Sequence, residues 1–86
     1  ISGRHSDQEI RQALLNLDSI VIMKAGRARP KILKLLSETN RLHEANYLEY
    51  IGRENERIIE DVSTLPHEVG PYFSLFIVLR DERART

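Results

Sequence analysis

Apolar residues in this chain follow two patterns, a helical spacing and short unbroken runs. The first helical pattern is carried by four residues, namely Ile10, Ala13, Leu14 and Leu17. Positions i, i+3, i+4 and i+7 share one face of a helix, so the spacing predicts an amphipathic helix over about residues 7–17. Ser6 stands three residues before Glu9, which is the spacing of a capping box at a helix start.

The stretch SIVIMKAGRARPKI over residues 19–32 combines a strand, a loop and a helix start. Its unbroken apolar run over residues 20–23 predicts a strand buried on both faces. Pro30 fits the first turn of a second helix over about residues 30–39, because the N–H that proline lacks has no partner there. Asn40 follows as a residue suited to a left-handed helix end. Four cations surround this helix start: Lys24, Arg27, Arg29 and Lys31.

The basic loop has two interpretations. Ligands of open α/β sheets bind at the carboxyl ends of strands, and the start of a helix is partly positive. These features favour an anion-binding site in the loop. The alternative is a solvated loop with ordinary surface charge.

The second half of the chain has the chemistry of strands. Residues 47–51 and 57–59 predict a hairpin with a longer polar loop, and residues 72–79 predict a final, central strand. Residues 1–5 resemble the end of a strand that runs into a turn at Gly3. The summed order is β-α-β-α-β-β-β. It predicts an α/β domain with a small mixed parallel and antiparallel sheet and two packed helices.

Composition narrows the classes of function. The 86 residues suit one domain, which we place at residues 1–79, followed by a charged tail at residues 80–86. Lys and Arg number 13, as do Asp and Glu, and a net charge of zero argues against a nucleic-acid partner. The absence of cysteine excludes disulfides and thiolate nucleophiles. The three histidines lack metal-ligand spacing, so no metal site is expected, and the apolar runs are too short for a membrane helix.

Two features at the ends of the domain bear on function. The chain begins with Ile1 in mid-pattern and shows no signal peptide, so we expect a piece of a longer, cytoplasmic protein. Tyr72 and Phe73 open the final strand. They are interpreted either as core residues or as a flat pocket for adenine or another planar ring. No catalytic residue is indicated, since the serines lack a nucleophile-elbow context, and the residues alone name no reaction.

Three stretches in order resemble the C-terminal half of the tetrapyrrole (corrin/porphyrin) methylase family: SIVIMKAGRARPKILKLL, ANYLEYIGRENERII and PYFSLFIVL. The similarity covers about residues 1–79, and the opening Ser-Gly-Arg-His is similar to the Gly-His turn with which that half begins in related members. Within the family, Met-Lys-x-Gly-Arg-x-x-Pro-Lys followed by Tyr-Phe-Ser-Leu most resembles the members that methylate precorrin-2 at C(20).

The resemblance implies an enzyme of cobalamin biosynthesis that transfers a methyl group from S-adenosylmethionine to a ring carbon of a precorrin-type tetrapyrrole. Family members are typically homodimers of two-domain subunits, with the cofactor in the cleft between the domains. The resemblance implies six cofactor contacts: Met23, Lys24, Tyr72, Phe73, Ser74 and Leu75. Several relatives have glycine at the position of Lys24, and alanine is frequent at that of Ser74.

Arg27, Arg29 and Lys31 are candidate substrate contacts, because precorrins carry many carboxylates that guanidinium and ammonium groups bind. This assignment rests on residue chemistry and not on a family motif. The family's N-terminal half, with its Gly-x-Gly-Pro-Gly-Asp loop, does not appear in the sequence. We therefore expect that domain as a missing partner, and little or no methyltransferase activity from this chain alone.

Two other classes of function remain open. A non-catalytic ligand-binding module needs only the basic loop. A dimerisation domain predicts a large exposed apolar patch. Within the family, another precorrin or cobalt-precorrin methylase is the alternative, and the sequence leaves open whether the substrate carries cobalt.

Overall fold

The computed structural model describes residues 1–80. Two helices and four strands follow one another as α1 (Asp7–Asn16), β1 (Ser19–Met23), α2 (Arg29–Glu38), β2 (Ala45–Glu49), β3 (Arg57–Ile59) and β4 (Ser74–Leu79). Short 3₁₀ turns at Leu42–Glu44 and Val62–Thr64 precede β2 and β4. Of the charged tail predicted at residues 80–86, all but the first residue lie outside the described part of the chain.

Helix α1 begins at the predicted capping box. The Ser6 hydroxyl accepts a hydrogen bond from the Glu9 backbone N–H at 3.2 Å, and the Glu9 carboxylate accepts one from the Ser6 N–H at 3.1 Å. Two hydrogen bonds with Ser6 lower the pKa of the Glu9 carboxyl. The bond with the Ser6 backbone has the larger effect, and the bond with the Ser6 side chain the smaller. The helix then buries Ile10 and Leu14, as its apolar spacing predicts.

The four strands form one antiparallel sheet in the order β1-β4-β2-β3. The predicted α/β class with two helices is confirmed, as is the central place of the last strand. The parallel component is limited to one bridge, between Ser2 and Met23. There the Gly3 N–H donates to the Met23 carbonyl at 2.8 Å, and the Met23 N–H donates to the Ile1 carbonyl at 2.9 Å. The start of the chain therefore lies along the end of β1.

Strand β1 corrects one prediction. Ile20 and Ile22 are buried, whereas Val21 and Met23 are about half exposed. The strand was predicted to be buried on both faces, but it lies at the edge of the sheet and only one of its faces meets the core. An unbroken apolar run in the sequence thus has the burial of an alternating strand.

The covered face of the sheet carries the core. Phe76 and Tyr47 pack against each other with ring centroids 4.9 Å apart, and Ile32 and Leu36 of α2 are fully buried in the same cluster. Such burial of aliphatic and aromatic side chains is the main stabilising contribution in a small domain.

The open face is also apolar. We use this name for the opposite side of the sheet, where the exposed side chains are Val21, Met23, Leu79 and Ile58 and the partly buried ones are Leu48, Leu75 and Ile77. Cross-strand pairs make the surface continuous, since Val21 faces Ile77 and Leu48 faces both Leu75 and Ile58. An exposed apolar surface of this kind is what the dimerisation hypothesis predicts.

Strand β4 begins two residues later than predicted. Tyr72 and Phe73 precede it and are 60% and 51% exposed, so their interpretation as core residues is wrong. Strand β2, in turn, begins at Ala45 rather than at residue 47. Asn40 adopts the predicted left-handed backbone, with φ of 59°. Over residues 1–80, neither helix is long and apolar enough to cross a membrane.

Candidate functional site

A pocket of about 420 Å³ opens where β1 ends and β4 begins. Its lining includes all six residues for which the family resemblance implies cofactor contacts: Met23, Lys24, Tyr72, Phe73, Ser74 and Leu75. Leu48, Tyr50, Ile51 and Arg53 complete the wall. We call this cavity the aromatic pocket. Two stretches separated by about fifty residues therefore meet at one place, because β1 and β4 are paired neighbours.

Backbone hydrogen bonds hold the walls of the aromatic pocket to the start of β4. The Tyr50 N–H donates to the Phe73 carbonyl at 2.9 Å, and the Ala25 N–H donates to the Ser74 carbonyl at 3.1 Å. The Ser74 hydroxyl donates to the Pro71 carbonyl at 2.8 Å. The loops after β1 and β2 are thus fixed to the same two residues, so the pocket is formed in advance of any ligand.

The aromatic pocket offers flat apolar surfaces. The ring of Phe73 packs edge-on against Tyr72 with centroids 5.1 Å apart, and Tyr50 lies 6.3 Å from it on another side. The Arg53 guanidinium carbon lies 4.5 Å from the centroid of the Phe73 ring. Exposed aromatic rings with a stacked guanidinium are suited to a planar ring system.

Backbone strain is concentrated at the same pocket. Lys24 and Tyr50 both have a backbone φ of 52°. This lies in the left-handed region, which residues other than glycine and asparagine rarely adopt. Each such residue costs about 1–3 kcal/mol, and strained positions cluster at functional sites. Glycine would adopt this backbone at Lys24 without strain, and the strain marks the pocket independently of any motif.

A second cavity, of about 510 Å³, adjoins the first, and we call it the cationic pocket. Four of its side chains are cationic: Arg4, Lys24, Arg27 and Lys31. Lys24 and Tyr72 line both cavities, so these two residues form the shared wall. The structure brings Arg27 and Lys31 together as the basic loop predicts.

Lys31 is already engaged. Its Nζ donates to the His5 carbonyl at 2.9 Å and lies 3.6 Å from the Asp7 carboxylate. The side chain therefore ties helix α2 to the turn before α1, and it contributes to the positive charge of the pocket from its edge.

Arg29 lies outside both pockets. Its side chain is buried, with Nε donating to the Glu68 carbonyl at 2.8 Å and Nη1 lying 3.3 Å from the Tyr47 hydroxyl and 3.7 Å from the Glu49 carboxylate. Removing a buried cation from such partners is costly. The arrangement gives Arg29 a structural place, and we leave it out of the substrate contacts proposed below.

Tyr47 is the central hydroxyl of this buried network. It donates to Glu49 at 2.8 Å. Burial is the main cause that raises the pKa of Tyr47 above its ordinary 10.0, since the charged phenolate is penalised away from water.

Sequence reasoning missed several residues of the site, among them Arg4, Tyr50 and Arg53. Arg4 reaches the cationic pocket through the Ser2–Met23 bridge, and Tyr50 and Arg53 reach the aromatic pocket because β2 pairs with β4. These placements depend on strand pairing over long distances, which no local motif encodes. Over residues 1–80 the structure contains no group of three or more His, Asp or Glu side chains that could hold a metal ion.

Comparison with known proteins agrees with the motifs. No family model matches the chain. Over 78 residues it is 32% identical to precorrin-2 C(20)-methyltransferase of Sinorhizobium sp, an alignment that covers 91% of this chain. This chain is related to the tetrapyrrole methylases. The alignment covers 31% of the length of that relative, so this chain spans about a third of it.

The relationship to the tetrapyrrole methylases is thus confirmed over 91% of the chain and not from short motifs alone. The aligned length corresponds closely to the described domain, so the comparison concerns this folded unit. The two pockets are the places in that unit where a small molecule has room to bind.

Proposed function

We propose that this chain is the C-terminal part of an S-adenosylmethionine-dependent methyltransferase that acts on precorrin-2, with or without cobalt, at C(20) in cobalamin biosynthesis. The supporting observation is the meeting of all six implied cofactor contacts around one preformed pocket. The kinship with a precorrin-2 C(20)-methyltransferase supports the substrate and the position.

The aromatic pocket fits the chemistry of the cofactor. Tyr72 and Phe73 offer ring faces and edges against which adenine stacks, and Met23 and Leu75 supply apolar surface beside them. When bound, S-adenosylmethionine supplies the methyl group and a positively charged sulfur. The volume of about 420 Å³ lies within the range of pockets that enclose small ligands.

The cationic pocket is the proposed place for the acidic edge of the tetrapyrrole. Arg27 and Lys31 line it, and their charges suit acetate and propionate carboxylates. The task of the site is to hold methyl donor and acceptor in contact, and such positioning lowers the barrier of a two-substrate reaction. We assign no general acid or base to this chain.

The proposal includes the partners that the family implies. An N-terminal domain closes the cofactor cleft, two subunits form a homodimer in the cytoplasm, and the chain alone turns over little or no substrate. The open face of the sheet supports an apolar partner surface, since Val21 and Leu79 are about half exposed there.

The first test is cofactor binding by the 86-residue chain. We expect S-adenosylhomocysteine, followed by ¹H–¹⁵N spectra, to shift the amides of residues 72–75 in a saturable manner. Phe73→Ala should weaken this binding at least about tenfold, because one ring-stacking contact with its apolar burial is lost.

The matched control is Leu15→Ala. Leu15 is 54% exposed on α1, compared with 51% for Phe73, but it lines neither pocket. Equal binding by both variants, or shifts scattered away from the aromatic pocket, would refute the proposed cofactor site.

Two other functions are each supported by one observation. The open face suits a dimerisation domain, and the cationic pocket suits a non-catalytic ligand-binding module. The same titration separates them from the methyltransferase, because neither alternative requires an adenosine ligand. Another precorrin or cobalt-precorrin methylase would bind the cofactor alike and differ in the methylated carbon.

A further inference from the structure

We propose that Arg4, Lys24 and Arg27 form a polycarboxylate-binding subsite in the cationic pocket, with Lys24 as the residue shared with the neighbouring ligand. Identifying the ligand as the methyl-accepting tetrapyrrole rests on the proposed function. The binding of several carboxylates itself rests only on the pocket.

The distribution of unpaired charge carries this inference. Five Lys and Arg side chains have no carboxylate oxygen of residues 1–80 within 4 Å: Arg4, Lys24, Arg27, Lys34 and Arg53. Three of the five line the cationic pocket. Since the chain has as many acidic as basic residues, this gathering of unpaired cations is not a consequence of overall charge.

The local backbone fixes two of these cations relative to each other. A side chain on Gly26 would bring its Cβ to 1.9 Å from the Pro71 carbonyl oxygen, so the basic loop touches the segment before β4 directly. A Cβ on Gly3 would lie 2.8 Å from the Lys24 carbonyl oxygen. The turn that carries Arg4 is therefore in van der Waals contact with the residue that bears the second cation.

The geometry favours a ligand with several acidic groups. Arg4 comes from the turn at the start of the chain, whereas Lys24 and Arg27 come from the loop after β1. One carboxylate is satisfied by one or two such partners. Cations contributed by separate segments around about 510 Å³ can instead engage separate carboxylates of one molecule.

Lys24 has a particular position in this arrangement. It lines both pockets, its backbone is left-handed, and its ammonium group has no ion-pair partner among residues 1–80. Glycine at this position would supply the backbone conformation without strain. A lysine there adds a charge at the boundary of the two ligands, so we assign it to recognition of the anionic ligand.

The experiment is a titration of the 86-residue chain with citrate at constant ionic strength, followed by ¹H–¹⁵N spectra. Acetate and inorganic phosphate serve as comparison anions. We expect saturable shifts around Lys24, Arg27 and Arg4, and citrate affinity above that of acetate by about tenfold or more, since several charge-assisted bonds act together. Binding of phosphate as tight as that of citrate would overturn the carboxylate assignment.

Variants make the test specific. Lys24→Asn removes the charge and keeps a residue that tolerates the left-handed backbone, and Lys24→Arg keeps the charge. We expect Lys24→Asn and Arg27→Gln each to raise the citrate Kd about three- to tenfold. Lys24→Arg should keep the citrate Kd of the natural chain. Lys34→Gln, which removes a cation outside both pockets, should also leave that Kd unchanged.

Two results would overturn the proposal. Citrate binding that does not saturate would show that the pocket holds no defined anion. Equal losses in Lys24→Asn and Lys34→Gln would show attraction by general charge alone. S-adenosylhomocysteine titrated into the same samples reports the aromatic pocket separately, so a failure of the anion subsite and a failure of the cofactor site are distinguishable.

Discussion

The two faces of the sheet use the same kinds of side chain with opposite outcomes. On the covered face, Ile22 and Phe76 are fully buried beneath the two helices. On the open face, Val21 and Leu79 are about half exposed although they are equally apolar. The contrast shows that the apolar side chains of a strand indicate which faces could be buried. The helices that pack on the sheet decide which face is buried.

The strongest prediction compares two neighbours on β4. Phe76→Ala should lower the free energy of unfolding by about 3–5 kcal/mol, because it empties a fully buried site in contact with Tyr47. Ile77→Ala, on the open face, should cost about 1 kcal/mol, since a partly buried side chain loses less apolar contact. Urea unfolding measures both, and equal losses would mean that the open face is covered in solution.

The next effect concerns the junction between the basic loop and the segment before β4. Gly26→Ala should cost about 3 kcal/mol or more, because the new Cβ would lie 1.9 Å from the Pro71 carbonyl oxygen and backbone has to move. Gly52→Ala is the matched control. It meets no atom within 4 Å, and its φ of 81° predicts a cost of about 1–2 kcal/mol. Thermal unfolding that ranks the two variants in the reverse order would contradict the close approach.

A third prediction tests the buried polar group of the covered face. Tyr47→Phe removes the donor to Glu49 and should cost about 1–3 kcal/mol at pH 7. Because burial raises the pKa of Tyr47 above 10.0, the folded chain holds this proton more tightly than the unfolded chain does. The resulting stability is complete below pH 10 and is lost as the pH rises through the folded pKa.

Urea unfolding at pH 7, 9 and 11 checks this dependence on pH. The difference in stability between the natural chain and Tyr47→Phe should be constant from pH 7 to 9 and smaller at pH 11. A difference that stays constant at pH 11 would contradict the raised pKa of Tyr47, and one that grows would show that the folded chain stabilises the ionised phenolate.

The smallest effect lies at the open end of the sheet. Lys24→Gly should raise the free energy of unfolding by about 0.5–1 kcal/mol, because glycine relieves the left-handed strain and loses some of that gain through its greater freedom in the unfolded chain. The same variant should bind citrate more weakly. A loss of stability would show that the Lys24 side chain supports the fold rather than a ligand.

Local features of the sequence predicted the elements well. The capping box at Ser6, the left-handed Asn40 and the central last strand are present because each depends on neighbouring residues or on a strong hydrophobic run. The burial of β1 was predicted wrongly, since an apolar run does not reveal how many faces of a strand are covered.

The site was predictable in part, and for a different reason. The motif resemblance indicated six residues that now share the aromatic pocket, while Arg4, Tyr50 and Arg53 depend on strand pairing that the motifs do not describe. Arg29 shows the limit of reasoning from charge alone. Its side chain belongs to the buried network with Tyr47, although its neighbours in sequence face the cationic pocket.

The most direct test of the aromatic pocket as a cofactor site is the position of the adenine ring. Intermolecular nuclear Overhauser effects between S-adenosylhomocysteine and the uniformly labelled chain give this position. We predict contacts from the adenine protons to the rings of Tyr72 and Phe73 and to the Met23 methyl group. Saturable binding with contacts elsewhere, or no binding at millimolar ligand, would contradict the assignment of this pocket to the methyl donor.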